Sequence, residues 1–334
     1  MTLVVITDSD LPVQGIEEEL LERAGIDVVR ADCTSSDDVA EAGAEADALI
    51  VQWAPVDAAA LARMPRLRFI SRLGIGYDMI DVEAAAARGV AVANTPDYCT
   101  EEVVSHALAL ILASTRGIVA ADRQVRAGGW AVAGLVPPVR RPSQLALGVV
   151  GLGRIGALVA ERARALGFTV LAHDPARGDS LPLERVLAAA DVLTLHLPLT
   201  PSTHHLIDAA ALAQLPAGAI VVNTSRGPVI DEAALAAALR SGRLGGAALD
   251  VYEREPLPAG SELRDLPNVI LSPHAAWYSP QALTDLPRLA TQQVLDFLAG
   301  AAVPNLVSSA APAEDDTTRA GSPAPAPTVG RTHG

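Results

Sequence analysis

Residues Leu147 to Gly156 read LGVVGLGRIG, and this stretch decides the fold of the second half of the chain. An apolar run ends in Gly-x-Gly-x-x-Gly, and a segment of helical character follows. A second apolar run leads to Asp174, which stands 18 residues after Gly156. This order of strand, glycine turn, helix, strand and acid is typical of a dinucleotide-binding βαβ unit.

Each glycine of the motif has a predicted role. Gly151 allows a tight turn, Gly153 lets a pyrophosphate approach the backbone at the helix N-terminus, and Gly156 lets the helix pack on the strand. Asp174 would accept hydrogen bonds from a ribose diol and repel a 2′-phosphate. The pattern therefore favours NAD over NADP. The nearby Arg177 keeps NADP open as the less favoured alternative, unless this side chain, which follows Pro175, simply faces solvent. A purely structural turn is the other alternative, but strand, helix and acid all agree with a nucleotide site.

Composition limits the class of protein. The 334 residues suggest two domains, and the net charge of -14 argues against binding nucleic acid directly. The chain contains Arg but no Lys, which excludes any mechanism through a lysine Schiff base.

Targeting and metal signals are absent from the sequence pattern. Cys33 and Cys99 have no zinc-type spacing, and the adjacent His204 and His205 cannot both reach one ion unaided, so we expect reduced thiols and no metal. We find neither a signal-peptide pattern nor an 18-residue uncharged apolar stretch. The prediction is a cytoplasmic protein that does not cross a membrane.

Strand-like and helix-like segments alternate through two halves, which predicts α/β domains with parallel sheets. A single long helix is expected from Glu101 to Ala127, ended by Gly128 and Gly129. Another helix is expected over Ala282–Ala299. Residues 308–334 are rich in Ala, Pro, Ser, Thr and Gly, and we predict that they are disordered. The predicted strands are Leu3–Thr7, Asp27–Arg30, Ala48–Gln52, Arg68–Leu73, Val90–Ala93, Gly148–Val150, Thr169–Ala172, Val192–His196, Ala219–Asn223, Gly246–Leu249 and Val269–Leu271.

Three chemically useful side chains follow predicted strands of the second half. Arg226, Glu255 and His274 should converge, because ligands of open parallel sheets bind outside the carboxyl ends of the strands. Arg226 could bind the carboxylate and carbonyl of a 2-oxo acid. His274 could supply the proton that a new alkoxide needs, with Glu255 stabilising the imidazolium. Taken alone, each of these residues is more simply explained as a surface, turn or structural residue. Their joint placement at strand ends, after a dinucleotide site, favours catalysis.

Three segments carry a resemblance to a known family. They are Asn223–Asp231 (NTSRGPVID), Ala248–Pro256 (ALDVYEREP) and Ser272–Trp277 (SPHAAW). These look like the signature segments of the D-isomer-specific 2-hydroxyacid dehydrogenases, and the resemblance extends over residues 1–307. The ending at Trp277, followed by Tyr278 and Ser279, is most similar to the C-terminal-binding-protein-like branch, which includes bacterial enzymes and animal corepressors.

The resemblance implies two doubly wound α/β domains. An NAD-binding Rossmann domain, residues 98–277, would be inserted into a discontinuous flavodoxin-like substrate domain, residues 1–97 and 278–307. It also implies a homodimer formed through the NAD-binding domains, and a cleft that closes around NAD and substrate.

The resemblance also assigns residues. Arg226, Glu255 and His274 match the substrate-binding arginine, the partner of the acid/base, and the proton donor. The implied substrate contacts are Leu73, Gly74, Ile75, Gly76, Arg226, His274 and Trp277. The implied cofactor contacts are Ile75, Gly151, Gly153, Arg154, Ile155, Gly156, Asp174, Leu197, Pro198, Thr203, Thr224, Ser225, Arg226, Asp250, His274 and Trp277. Met79 departs from the family pattern, which commonly has Asn there.

The function predicted from these features is NAD-dependent hydride transfer to a small 2-oxo acid, giving a D-2-hydroxy acid reversibly. Trp277 either lines the pocket, which would suit an apolar or thioether side chain, or packs at the domain joint. The alternative function is an NAD(H)-responsive co-regulator. A relative acting on formate, phosphite or phosphoglycerate is a third reading, for which no substrate-binding segment can be identified.

Overall fold

The computed structural model describes residues 2–131 and 139–308, which form two α/β units. The first contains a six-stranded sheet in the order β12-β5-β4-β3-β1-β2. Its first five strands are parallel, and β12 pairs antiparallel with β5 at one edge. The strands are β1 (Leu3–Ile6), β2 (Asp27–Arg30), β3 (Ala48–Val51), β4 (Phe69–Arg72), β5 (Ala91–Ala93) and β12 (Leu306–Ser308).

The second sheet is parallel throughout and has the order β11-β10-β9-β8-β6-β7. In both sheets the strand order reverses beside the first strand, and ligand crevices form at such switch points. Strands β8 and β10 are buried along their whole length, as expected for strands covered on both faces. The strands are β6 (Ala146–Val150), β7 (Thr169–His173), β8 (Val192–Leu195), β9 (Ile220–Asn223), β10 (Gly246–Leu249) and β11 (Val269–Leu271).

Helices connect the strands, and several begin at a Ser or Asp that caps the first turn. Asp57, Asp81, Asp208, Asp231 and Ser279 each accept a hydrogen bond from a backbone N–H three residues on. The helices are α1 (Ile16–Arg23), α2 (Ser36–Ala42), α3 (Ala58–Ala62), α4 (Val82–Ala87), α5 (Thr100–Arg116), α6 (Ile118–Arg126), α7 (Arg154–Ala165), α8 (Leu183–Leu187), α9 (Ala209–Gln214), α10 (Glu232–Arg240) and α11 (Pro280–Leu298).

Two helices link the sheets. Helix α5 follows the last parallel strand of the first sheet but packs on α7, β9 and β10 of the second. Helix α11 follows the second sheet and returns to β3 and β4, where Phe297 stacks on Phe69 and Ser71 donates a hydrogen bond to the Ala290 carbonyl. The predicted fold class, two parallel-sheet α/β domains with one inserted in the other, is confirmed.

The prediction of one helix from Glu101 to Ala127 is wrong. The chain forms two helices that meet at Gly117 with a bend of 63°. Gly117 adopts a φ of 62°, a left-handed conformation that ends one helix and that other residues rarely adopt. The apolar character on both sides of this glycine hid the break from the pattern.

The predicted tail begins one residue too early, because Ser308 ends strand β12, which the sequence pattern missed. Residues 309–334, where disorder was predicted, lie outside the described residues. Within the described ranges, no helix by itself has the length and apolar character needed to cross a membrane; α5 and α6 meet that test only when counted together as a bent pair.

Candidate active site

A cavity of about 370 Å³ lies where the carboxyl ends of the two sheets face each other. Segments that follow β3, β4 and β5 line one side, and segments that follow β6, β8, β9, β10 and β11 line the other. The predicted residues that line it are Leu73, Ile75, Gly76, Gly153, Arg154, Ile155, Leu197, Pro198, Thr224, Ser225, Arg226, Asp250, His274 and Trp277.

Six other predicted residues do not line this cavity. Gly74, Gly151, Gly156, Asp174, Thr203 and Glu255 are absent from the cavity wall. Thr203 supports a lining loop, since its Oγ1 accepts from the Thr200 N–H and donates to the Pro198 carbonyl. Glu255 contacts His274 from behind. Thr203 and Glu255 can therefore shape the site without forming the wall of this cavity.

The glycine-rich turn has the geometry that a dinucleotide needs. Gly151 adopts a φ of 92°, and a Cβ there would lie 2.3 Å from the His196 carbonyl oxygen. A Cβ on Gly156 would lie 1.9 Å from the Gly151 carbonyl oxygen, so the helix can pack this closely only with glycine. A Cβ on Gly153 would meet nothing within 4 Å. The turn thus leaves open space at the N-terminus of α7, where an anion is favoured.

Two further observations fit an NAD molecule in this crevice. The Thr224 Oγ1 is buried without a hydrogen-bond partner in the described part of the chain, as expected for a group that binds a polar ligand. Burial lowers the pKa of His196 to about 4, so this imidazole is neutral and its Nε2 lies 3.0 Å from the Thr194 hydroxyl. The residues present therefore suit a dinucleotide.

Asp174 follows β7 and lies against the glycine turn. Its Oδ2 accepts the Leu152 N–H at 2.7 Å, and its Oδ1 accepts the Ala176 N–H at 2.9 Å. Arg177 does not simply face solvent: its guanidinium donates to the Leu152 carbonyl at 3.2 Å. An acid and a cation therefore both stand beside the turn.

His274 and Glu255 form a hydrogen-bonded pair. The His274 Nδ1 lies 2.6 Å from one Glu255 oxygen, and the other accepts the Tyr252 N–H at 2.9 Å. Since Nδ1 is engaged by a carboxylate, Nε2 is the ring nitrogen available to a ligand. The ring also meets the Trp53 indole edge-on, with centroids 5.4 Å apart.

Asp250 fixes the turn that carries His274. Its buried carboxylate accepts hydrogen bonds from the Ala275 and Ala276 N–H groups and from the Ser272 hydroxyl, and its carbonyl accepts the His274 N–H. These bonds hold His274 at a φ of 52°, a left-handed conformation that costs a non-glycine residue about 1–2 kcal/mol. Backbone strain of this kind clusters at functional sites.

Arg226 bridges the two sides of the cavity. Its Nε donates to Asp78 at 2.8 Å, and a Cβ on Gly76 would lie 1.5 Å from its Nη2. Burial alone would raise the pKa of Asp78, but the charge of Arg226 and its hydrogen bond outweigh burial and hold that pKa below its usual value. The guanidinium is thereby aimed at the glycine loop of the first sheet.

Sequence reasoning missed several cavity residues on the side of the first sheet. Arg72, at the end of β4, is buried, and burial together with the nearby charge of Arg226 lowers its pKa to about 10. Its guanidinium lies 5.3 Å from the Trp53 ring, and Tyr98 also lines the cavity. The rule that found Arg226, a charged residue at a strand's carboxyl end, would have found Arg72 as well.

Comparisons with known proteins agree with this geometry. Residues 108–276 match the family described as D-isomer specific 2-hydroxyacid dehydrogenase, NAD binding domain. The chain is 37% identical over 318 residues to a glyoxylate reductase of Korarchaeum cryptofilum, covering 91% of this chain and 95% of the relative. It is 42% identical to a D-3-phosphoglycerate dehydrogenase of Mycobacterium leprae, of which it spans about half, with 79% and 51% covered.

A solved structure has the same fold. The D-lactate dehydrogenase of Aquifex aeolicus, crystallised with NAD and lactic acid, superposes with a TM-score of 0.83 at 26% identity, over 92% of this chain and 99% of that one. The chain therefore belongs to the D-isomer-specific 2-hydroxyacid dehydrogenases, as its motifs indicated. Members of this class are oxidoreductases that use NAD or, in some relatives, NADP, and the predictions of an oxidoreductase with an NAD-binding domain are confirmed.

Proposed function

We propose that this enzyme uses NADH to reduce a small 2-oxo acid to a D-2-hydroxy acid, reversibly. The observation that carries the proposal is that His274, whose Nδ1 lies 2.6 Å from Glu255, lines the same cavity as Arg226. An acid/base and a carboxylate-binding cation are the two side-chain functions that this reaction requires.

His274 is the proposed acid/base. Bound NADH supplies a hydride to C2 of the substrate. The Nε2 proton of the His274 imidazolium passes to the carbonyl oxygen, which becomes the hydroxyl, and the imidazole is left neutral. Glu255 accepts the Nδ1 hydrogen throughout, which orients the ring and stabilises its protonated form.

Arg226 and the loop of Leu73, Gly74, Ile75 and Gly76 are the proposed substrate-binding elements. The Leu73 and Gly74 N–H groups donate within the protein, to the Val51 and Arg72 carbonyls. The Ile75 and Gly76 N–H groups have no protein acceptor within the described residues. The substrate carboxylate therefore binds to Arg226 and to these two amides, while the carbonyl oxygen points toward His274.

The substrate side chain is small or apolar in this proposal. Trp277 borders the cavity with its ring 6.2 Å from that of Tyr98, and Trp53 flanks His274 on the other side. Such rings favour apolar and thioether groups. The same tryptophan supports placing the chain in the C-terminal-binding-protein-like branch, whereas the similar glyoxylate reductase and D-3-phosphoglycerate dehydrogenase do not point to that branch.

We also assign a main ligand to each of the two domains. Residues 98–277 form the NAD-binding domain, which also supplies Arg226 and His274 to the substrate. Residues 1–97 with 278–307 form the substrate domain, in keeping with the two sheets. Asp174 accepts the ribose hydroxyls, so NAD is preferred to NADP. The remaining proposed NAD contacts are Ile75, Gly151, Gly153, Arg154, Ile155, Gly156, Leu197, Pro198, Thr203, Thr224, Ser225, Arg226, Asp250, His274 and Trp277.

A homodimer formed through the NAD-binding domain completes the proposal. Helix α6 and the residues after it expose Ile118, Val125 and Trp130, the last with 90% of its surface accessible. Exposed apolar groups of this size mark interaction sites. A cytoplasmic location is proposed as well, supported by the free, buried thiols of Cys33 and Cys99. The co-regulator alternative has no support from the comparisons.

The test is NADH oxidation by the purified protein with glyoxylate, hydroxypyruvate, phenylpyruvate and 4-methylthio-2-oxobutyrate. We expect saturable turnover of at least one acid, with the preferred member reporting the space beside Trp277. Tight NADH binding without turnover of any member would overturn the proposed activity.

A further inference from the structure

Helix α5 contacts the segment that carries the acid/base at both of its ends. Glu102 accepts a hydrogen bond from the Ser279 hydroxyl at 2.7 Å, and the His106 Nε2 lies 3.2 Å from the Ser272 Oγ. Positions four residues apart share one face of a helix, so a single face of α5 reaches both ends of residues 272–279. His274 lies between these two contacts.

The hydrogen bonds around Ser272 show which ring nitrogen of His106 carries a hydrogen. The Ser272 hydroxyl has one proton, and it donates that proton to the Asp250 Oδ1 at 2.6 Å. The Ser272 oxygen can then only accept from His106. The His106 Nε2 therefore carries a hydrogen, and it also lies 3.6 Å from the same Asp250 oxygen.

The Asp250 carboxylate requires a hydrogen-bond donor or a cation beside it. Its carboxylate is fully buried, and a buried charge is costly unless hydrogen bonds or an opposite charge compensate it. In the described part of the chain, His106 is the only side chain able to become a cation that comes within 4 Å of it. Its other partners are Ser272 and the two N–H groups that form the turn of His274.

We propose that His106 is a positioning residue for catalysis. Acting through Ser272, it orients the Asp250 carboxylate, which fixes the turn that carries His274 and lines the cavity. The inference rests on the proposed role of His274. It assigns a function to a residue that touches neither substrate nor reacting atoms.

Two amide substitutions of the same chemical type test this. The amide nitrogen of His106→Gln can reach the place of Nε2 and donate to Ser272, whereas His106→Asn is one methylene too short. Hydrogen–deuterium exchange of the apoprotein reports the turn without cofactor or substrate. We expect exchange at Ala275 and Ala276 to accelerate about tenfold in His106→Asn and to stay near the wild-type rate in His106→Gln. Equal exchange in the two variants would overturn the proposal.

Turnover gives a second readout with the preferred 2-oxo acid. We expect kcat to fall about tenfold in His106→Asn, with the KM of the acid little changed, and to be largely restored in His106→Gln. Ser272→Ala should cause a similar loss, and combining it with His106→Asn should add little, because both act through one chain of hydrogen bonds. Losses that multiply would contradict the proposal. Absence of turnover in the wild type would sink the proposed function instead, while amide exchange would still decide the role of His106.

Discussion

The first strands of the two sheets end in opposite ways although their surroundings match. Strand β6 lies between β7 and β8, and it is followed by Gly151 and by open space above Gly153. Strand β1 lies between β2 and β3, and it is followed by Thr7 and Asp8. The Asp8 carboxylate accepts the N–H groups of Gln52, Trp53 and Ala54, as well as the Thr7 hydroxyl.

One switch point thus leaves its crevice open for an external anion, while the other supplies its own carboxylate. The same topology therefore yields an NAD-binding unit on one side and, in the proposed assignment, a wall of the substrate pocket on the other, because Asp8 holds the loop that carries Trp53. The comparison teaches that residues at the switch point, rather than the fold, decide which unit binds the dinucleotide.

The largest effect is expected where the second sheet supplies the chemistry. His274→Ala removes the proton donor, so kcat should fall by roughly two to four powers of ten while NADH affinity changes little. Steady-state kinetics and fluorescence titration with NADH measure the two quantities. His204→Ala, at an exposed histidine in the turn after β8, is the matched control. Near-normal turnover by His274→Ala would remove His274 as the acid/base.

Gly153→Ala asks directly whether the open switch point holds a pyrophosphate. The new Cβ meets no protein atom and the backbone has a negative φ, so stability should be unchanged while the Kd for NADH rises about tenfold or more. Gly156→Ala is the contrasting control, since its Cβ would clash with the Gly151 carbonyl and destabilise the fold. Unaltered NADH affinity in Gly153→Ala would place the pyrophosphate elsewhere.

Asp78→Asn breaks the ion pair with Arg226, which joins the first and second sheets' sides of the cavity. Arg226 loses its orienting partner, so the KM of the 2-oxo acid should rise about tenfold. Because the folded-state pKa of Asp78 is depressed, its ionised form stabilises the protein above the unfolded pKa near 4, and this contribution disappears as the pH falls through the folded value. Urea titrations of both proteins should therefore differ more at pH 7 than at pH 3; a gap that widens in acid would refute the ion pair.

Asp174→Ala probes the acid beside the glycine turn. Loss of the ribose acceptor should weaken NADH binding about tenfold, and removal of its charge next to Arg177 should narrow the preference for NADH over NADPH. Parallel kinetics with the two cofactors provide the measurement. An unchanged cofactor preference would show that Asp174 serves only the turn, through its bond to Leu152.

The smallest catalytic effect is expected at the closed switch point. Asp8→Asn puts an amide where a carboxylate accepts several N–H groups, and it should lower the free energy of unfolding by about 1–3 kcal/mol. NADH affinity should stay close to wild type, because Asp8 does not line the cavity and acts on the site only through the Trp53 loop. Weakened NADH binding would contradict the claim that only the switch point of the second sheet binds the dinucleotide.

Sequence patterns predicted most of what the second sheet contributes. The glycine motif and the residues after β9 and β11 are local signals, since strand and ligand-binding residue are contiguous. The first sheet was harder to interpret. Trp53 belongs to the site only because α5 and α11 bring a second sheet against the first, and such contacts between distant segments leave no periodic trace, whereas Arg72 stands at the carboxyl end of β4, where the rule that found Arg226 would have found it.

Local conformation explains the remaining misses. The break at Gly117 depends on one residue adopting a positive φ inside an apolar stretch, and glycine in a helical pattern does not by itself reveal that conformation. Strand β12 has only three residues and exists because β5 offers it an edge. His106 was overlooked because its partner Ser272 is 166 residues away in the chain.

The most direct test of the account is the identity of the product. The purified protein would be incubated with NADH and its preferred 2-oxo acid, and the 2-hydroxy acid would be resolved by chiral chromatography. The account predicts one D-2-hydroxy acid formed for each NADH consumed, and loss of this product in His274→Ala. An L or racemic product, or NADH oxidation without any 2-hydroxy acid, would contradict it.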